Sequence, residues 1–547
     1  TRVNADGNIE KETSNLLLQS NVFDTTWSLS SAMTITSGQS GYDGTNDAWL
    51  LKRSDASARY IRQNVSSSGV HTFSVYAKPE SVNWLYMYVS DGVTNYNAYF
   101  DLSLGALGST SGVIDSAIES AANGYYRCSI SVNASIAAVR LYPGVANGSI
   151  TAGVSPAGIL IQDAQLNQGL IAQEVITTTT TAVYGGITDN VPRLDYTDSS
   201  CPSLLLEPQR SNVIPHSEYF GGHTLVGVSS SANAATSPEG IANATELIES
   251  SGFGEHTGLV DVSCTTSTNY TISIFAKANT RGYFLLRFGG ANSVFTNSYA
   301  WFNLSNGTKG TIESGITADI EDYGNGWYRL IATRTSAATN TGRFFWGLAN
   351  DNGSTNYTGD GSSSVYAYGF QAEAGSYATS YIPTYGTSVT RDADACNGAG
   401  NTATFNSTEG VLYAEISALD DDGTFRLISL SDGTTNNRLS LGYRSTSNAI
   451  YCEIRNANVT QAFLLGIVSD IKNKHKVAVK YKENDFSLWI NGVEVATDNS
   501  GITPLNLSKL NFDSGQQTGG IFFGKTNQVL VFPTALSDTE LATLTTI

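Results

Sequence analysis

Seven tryptophans, 28 tyrosines and 21 phenylalanines are spread over 547 residues, and one of their densest runs is Trp84-Leu-Tyr-Met-Tyr-Val89. Side chains alternate between the two faces of a strand, so Trp84, Tyr86 and Tyr88 share one side while Leu85, Met87 and Val89 share the other. A row of flat rings can stack on the C–H faces of sugars, with nearby amides, carboxylates and guanidinium groups holding the hydroxyls. With Tyr96 and Tyr99 just downstream, these rings make one candidate platform. A second consists of Tyr283, Arg287, Tyr299 and Trp301, where Tyr283, Leu285 and Arg287 alternate with Phe284, Leu286 and Phe288. The alternative for each ring is ordinary core packing.

Acidic turns offer a different chemistry. Asp43-Gly-Thr-Asn-Asp47 together with Asp163, and separately the run containing Asp420 and Asp422 ahead of Gly423, present hard oxygen ligands that suit a structural calcium ion. The counterpart of the first, Glu239-Gly-Ile-Ala-Asn243, is poorer in ligands; the second lacks the full spacing of a calcium loop, and a solvated loop tip is its alternative. No other cofactor is expected. The five histidines form no metal-ligand pair four residues apart, and neither a Gly-x-Ser-x-Gly nucleophile turn nor a phosphate-binding loop occurs. Glycoside hydrolysis needs only two facing carboxylates, which a sequence does not display. The expectation is a chain without catalytic activity.

The elements that carry these residues come twice. His71-Thr-Phe-Ser-Val-Tyr-Ala-Lys-Pro79 returns as Tyr270-Thr-Ile-Ser-Ile-Phe-Ala-Lys-Ala278, Asn123-Gly-Tyr-Tyr-Arg127 as Asn325-Gly-Trp-Tyr-Arg329, and Ser14-Asn-Leu-Leu-Leu-Gln-Ser20 as Ser211-Asn-Val-Ile-Pro-His-Ser217. A near-constant offset of about 200 residues is a duplicated domain, far longer than any solenoid repeat. Short alternating runs of β-branched and aromatic residues, broken by Gly, Asn, Asp and Ser, predict all-β architecture with three sandwiches in tandem and little helix. The boundaries read as a lead segment 1–13, a first domain 14–172, an extended linker 173–203, a second domain 204–386, a linker 387–402 and a third domain 403–547. In the third, Asn491-Gly492 between two apolar runs predicts a hairpin, and Ser537 with Glu540 predicts a capped closing helix.

Composition removes several classes of partner. Thirty basic residues against 48 acidic ones, a net charge of −18, argue against nucleic acid. No run approaches the ~20 apolar residues of a spanning helix, so membrane insertion is not expected. The five cysteines are scattered and never form a Cys-x-x-Cys pair, which reads as buried small hydrophobes or stray thiols rather than a disulfide framework or zinc site. The chain opens on Thr1 without a signal peptide, the pattern of a processed product or fragment.

The Ser-Asn-Leu-Leu-Leu-Gln-Ser opening, the Phe-Ser-Val-Tyr-Ala-Lys strand, the Asn-Gly-Trp-Tyr-Arg motif and the Gln371-Ala-Glu-Ala-Gly-Ser-Tyr-Ala-Thr-Ser-Tyr-Ile-Pro-Thr384 ending resemble jelly-roll, carbohydrate-binding-module-like domains of bacteriophage virion proteins. The joining sequence Val191-Pro-Arg-Leu-Asp-Tyr196 with Cys201-Pro-Ser-Leu-Leu-Leu-Glu-Pro-Gln-Arg210 is similar to that of phage tail-fibre and head-fibre proteins. Trp489-Ile-Asn-Gly-Val493 and Ile521-Phe-Phe-Gly-Lys525 resemble a concanavalin A or laminin-G-like sandwich. The resemblance implies a protein at the virion surface or outside the cell, adhering to host-surface or environmental polysaccharide and contacting other virion proteins. By analogy it implies a homo-oligomer, a trimer, and an anchor upstream. Two alternatives are a purely structural spacer and a glycan-degrading tail enzyme. Two departures separate the copies: Asp163 stands where the second has Gly369, and the sequence after Gly169 shows no Ser-Tyr-Ile-Pro stretch.

Overall fold

The computed structural model describes residues 1–151, 156–187, 191–289, 294–516 and 519–547. Residues 188–190, within the expected linker, lie outside them. Three hydrophobic cores organise an almost entirely β chain. Among the described residues the one α-helix is α1, Asp538–Thr545. Its Ser537 and Glu540 form the expected reciprocal cap, and none of the described helices is long and apolar enough to cross a membrane.

The first unit contains β1 (Ser28–Leu29), β2 (Met33–Gln39), β3 (Ala48–Arg53), β4 (Ile61–Pro79), β5 (Trp84–Ser90), β6 (Asn95–Asp101), β7 (Ala106–Ser111), β8 (Asp115–Ser120), β9 (Tyr126–Gly144) and β10 (Ala157–Gln168). They form one ten-stranded sheet in the order β7-β6-β5-β9-β4-β10-β3-β2, with β8 beside β9 and β1 beside β4. The 19-residue strands β4 and β9 pair along their length. One half of β9 borders β5 and the other half borders β8, so a single sheet folds into two layers over one core. That core takes Leu85, Met87 and Val89 from one layer and Phe73, Val75 and Ile159 from the other.

The second unit repeats this order with both long strands interrupted. Its strands are β11 (Thr224–Val226), β12 (Val228–Ala235), β13 (Ala244–Glu249), β14 (His256–Cys264), β15 (Asn269–Ala278), β16 (Tyr283–Gly289), β17 (Ser298–Asn303), β18 (Thr308–Ile312), β19 (Thr317–Asp322), β20 (Tyr328–Thr335), β21 (Asn340–Ala349) and β22 (Ser364–Ala374). They make two six-stranded sheets, β11-β14-β21-β16-β17-β18 and β12-β13-β22-β15-β20-β19. Thus β14 and β15 together stand for β4, and β20 and β21 for β9.

The repeated words are framework. Asn15 accepts from the N–H groups of Leu17 (3.1 Å) and Leu166 (3.2 Å) and donates to the carbonyl of Ile176 (2.8 Å). Asn212 does the same with Ile214 (3.1 Å), Ala372 (3.1 Å) and Ile382 (2.8 Å). Ser20 and Thr178 exchange hydrogen bonds, as do Ser217 and Thr384. Arg127 reaches Ser74 and the Gln173 carbonyl, and Arg329 reaches Ser273 and the Thr379 carbonyl. Residues 173–178, which the sequence places in the linker, therefore close the first unit where Thr379–Thr384 close the second. The counterpart of Ser-Tyr-Ile-Pro is present in structure although its side chains differ, because most of its bonds are made by backbone. Asp163 and Gly369 share a left-handed conformation, with φ of 50° and 63°, one that Asp tolerates better than most residues.

The lead segment docks on the second unit, not the first: Ile9 packs with Phe275, Trp327, Tyr368 and Tyr381. The third unit contains β23 (Glu409–Ala418), β24 (Arg426–Ser431), β25 (Arg438–Tyr443), β26 (Ala449–Asn456), β27 (Val459–Ile467), β28 (His475–Lys482), β29 (Asp485–Ile490), β30 (Val493–Asp498) and β31 (Gly524–Phe532). The Asn491-Gly492 turn joins β29 and β30 as expected, both residues at positive φ. Ser203–Leu206 pairs with β31, so Leu204 to Leu206 complete the third unit's sheet rather than open the second.

Candidate functional site

In the first unit, cross-strand register builds a ring-lined outer face. Tyr142, Tyr86 and Tyr99 stand directly opposite one another across β9, β5 and β6, and Arg140, Tyr88 and Asn97 form the next row. Tyr86 lies 4.4 Å from Tyr99 and 5.1 Å from Tyr142, ring centre to ring centre, and Tyr60 lies 5.2 Å from Tyr142. The intervening residues Leu85, Met87 and Val89 are buried in the core, which is what alternation demands. Trp84 stands half-buried at the end of β5, over Gly108, where any side chain would strike it. Burial raises the phenols of Tyr86, Tyr99 and Tyr142 above their ordinary value, so all three stay neutral donors at physiological pH.

Tyr96 does not join this platform. It pairs with Val89, shares that residue's side of the sheet, and packs against the core. The sequence reading grouped it with Tyr99, yet three residues along a strand change face.

The second unit presents the equivalent face in the same register. Gly347, Leu285 and Trp301 make one row, and Phe345, Arg287 and Tyr299 the next. Tyr299 stacks on Trp301 at 5.2 Å, and the Arg287 guanidinium lies 4.2 Å from the Phe345 ring centre and 5.1 Å from that of Tyr299. Trp301 is buried, its indole N–H donating to the Ser354 carbonyl at 2.9 Å, so it supports the face rather than offering its own. Tyr283 is half-buried and accepts from Asn303 at 3.1 Å. Row by row, the Arg140–Tyr88 neighbours of the first unit become Phe345–Arg287 in the second. Cation and ring have changed strands while their stacking persists.

A smaller cluster lies on the third unit. Tyr451 and Phe463 are 5.7 Å apart, Phe425 meets Tyr451 edge-on at 6.2 Å, and the Arg444 guanidinium lies 5.2 Å from the Phe463 ring. Phe425 and Phe463 are nearly half exposed. Burial pushes the Tyr451 phenol up to about 12, Glu453 adding to it.

The acidic turns are held by hydrogen bonds. The Gln162 amide donates to Asp47 at 2.7 Å and Asp43 at 3.2 Å, while its oxygen accepts the Tyr42 N–H at 2.9 Å. That last contact fixes the amide's orientation, so a donor, not a lone pair, occupies the space between the two aspartates. Asp163 instead accepts from the Tyr42 hydroxyl at 3.0 Å, and burial pushes its carboxyl up to about 6, against the Tyr42 hydrogen bond and with help from Asp47 and Asp43. Asp420 accepts from Ser376 at 2.8 Å, whereas Asp422 pairs with Arg426. Among the described residues, no three His, Cys, Asp or Glu side chains converge in a metal-binding arrangement.

Sequence reasoning missed Tyr60, Arg62, Arg140 and Tyr142 in the first unit, Glu255 and Phe345 in the second, and the Arg444 cluster in the third. Most of these become neighbours of the expected rings only through strand pairing across long separations, so no local pattern announces them.

No protein-family model and no curated protein matches the chain. Among solved structures it is similar to the CBM40 of a Ruminococcus gnavus IT-sialidase bound to α2,6 sialyllactose, at 17% identity and a TM-score of 0.23, over 27% of this chain and 93% of that one. It is also similar to the CBM22-1–CBM22-2 tandem of Paenibacillus barcinonensis Xyn10C, at 13% identity and a TM-score of 0.19, over 66% and 97% of the two chains. A third likeness is to domains LG4-5 of the mouse laminin α1 chain, at 9% identity and a TM-score of 0.20, over 52% and 89%.

Proposed function

We propose that this chain is a non-catalytic adhesive component of a virion, of fibre or decoration type, that binds cell-surface or environmental glycans through the outer sheet faces of its first two units. The observation that supports this is the pair of equivalent faces. In both units the same rows carry rings stacked with an arginine, although the residues themselves have changed. Framework positions elsewhere keep their residue types or their backbone bonds, so the substitutions on these faces alter what is presented without altering how it is built. Several shallow faces on one chain favour weak contacts multiplied by copy number. The virion and extracellular placement rests on the sequence resemblance.

The test is binding of the intact protein to a glycan array, beside variants Tyr86→Ala with Tyr99→Ala, and Tyr299→Ala. Each half-buried ring contributes on the order of 1 kcal/mol or more to stacking, so the first variant is expected to lose at least about tenfold in affinity for the first unit's ligands. Wild-type protein that binds no glycan in any oligomeric form would leave a purely structural spacer.

A further inference from the structure

Two arginines on the first unit's face are answered by no acid among the described residues. Arg62 and Arg140 are direct cross-strand neighbours, an arrangement in which like charges repel. Among the described residues, neither is found in an ion pair with a carboxylate, and the charged or polarisable groups acting on Arg140 are the phenols of Tyr142, Tyr88 and Tyr60. The Arg140 guanidinium lies 4.7 Å from the Tyr60 ring centre and 4.9 Å from that of Tyr88, and among the described residues its one hydrogen bond to a side chain is a long contact of 3.4 Å to the Tyr142 hydroxyl. Stacking fixes the guanidinium plane and leaves its N–H edge available to a bidentate acceptor.

The second unit shows what a neutralised version looks like. There the row opposite Phe345 is Leu259, not a second arginine. Arg287 is paired with Glu255 at 2.9 Å, and Arg343 with Asp261 at 2.7 Å. In a chain of net charge −18, two adjacent cations without a carboxylate partner among the described residues, beside the half-buried rings of Tyr86 and Tyr99, carry a repulsive cost that a bound anion would remove.

We infer that the first unit's face takes an anionic saccharide, a sugar bearing a carboxylate or a sulfate ester, with Arg62 and Arg140 gripping the acidic group and the half-buried Tyr86 and Tyr99 supporting the ring. The second unit's face takes uncharged sugar. The inference rests on the glycan-binding reading above and specifies its ligand.

The experiment applies the intact protein and an Arg62→Gln/Arg140→Gln variant to an array carrying uronic-acid, sialylated, sulfated and neutral oligosaccharides. Acidic glycans are expected to bind, with affinity falling as salt rises and falling about tenfold or more in the double variant. The carboxylated and sulfated arms identify which anion is held. Neutral glycans bound through the second unit should be unaffected. An Arg62→Lys/Arg140→Lys variant, which keeps charge but loses the planar fork, should retain the salt dependence at reduced affinity and guards against misfolding of the glutamine form. Binding confined to neutral glycans, or acidic binding that both double variants leave unchanged, overturns the inference while the adhesive function stands. Binding of no class overturns both.

Discussion

His223 illustrates how one side chain sets a pH limit on the second unit. It accepts from the Trp346 indole N–H at 2.9 Å through Nδ1 and donates from Nε2 to the His216 carbonyl at 2.8 Å, so the buried ring is neutral with its proton on Nε2. Burial pulls its pKa down to about 4, against the His216 carbonyl bond and with the His216 ring adding to the depression. The unfolded chain has a value of about 6.5. Between these values the unfolded state binds more protons, so stability is complete above about pH 6.5 and is lost as pH falls toward 4, by on the order of 3 kcal/mol. His223→Gln is expected to flatten that slope. Hydrogen exchange across Asn340–Ala349, followed at pH 7 and pH 5, checks it: equal loss of protection on acidification in wild type and variant would contradict the assignment. No sequence pattern marks His223, because its environment is made by Trp346, more than a hundred residues away. The rings of Trp84, Tyr86 and Tyr88 were legible for the opposite reason, since period-two alternation places them on one side whatever the tertiary partners.

At the scale of elements, the duplication was legible because its repeated words make the same bonds in both units, and those bonds tolerate few residue types. The linker was misjudged because its bonds are mostly backbone to backbone or backbone to side chain, which constrain composition weakly. The long strand β4 contains a second such case at Gly69, whose φ of +100° is a conformation for glycine. A Cβ there would lie 1.6 Å from the carbonyl oxygen of Tyr385, which accepts the Val70 N–H at 2.6 Å. Strand β4 thereby touches the closing segment of the second unit through a gap that only glycine leaves. Gly69→Ala is expected to open this junction, costing about 1–3 kcal/mol from strain and the displaced hydrogen bond, with the first unit's own core intact. Limited proteolysis should then cut between the units, in 179–202, faster than in wild type, while near-ultraviolet dichroism stays unchanged. Cleavage at the wild-type rate would show that the contact does not hold the units together.

Across the whole molecule, a buried charge cluster ties the lead segment to the second unit. Lys11 pairs with Glu218 at 2.8 Å and Glu239 at 2.6 Å, all three side chains at most 5% exposed, and Tyr368, Tyr381 and Tyr385 hydrogen-bond to Glu218. Burial alone would lower the lysine's pKa, but Glu218 and Glu239 hold it well above the ordinary value. Burial raises Glu239, and Glu218 adds to that, against the attraction of Lys11. Just past Lys11, Ser14 pairs with Tyr184, and Asn15 begins the clamp of the first unit. One short strap therefore fixes the position of one ring-lined face relative to the other, and under the proposed function a fixed spacing is what would convert two weak contacts into avidity on a polymer. Lys11→Met strands two buried carboxylates, and the loss is expected to be about 3–5 kcal/mol, most of it recovered when Glu218→Gln and Glu239→Gln are added. With the strap released, affinity for a short oligosaccharide that spans one face should stay at the wild-type value while affinity for the long polysaccharide falls. A parallel fall in both would mean that the strap shapes a face rather than spacing the pair, and calorimetric titration with the two ligand lengths separates these outcomes.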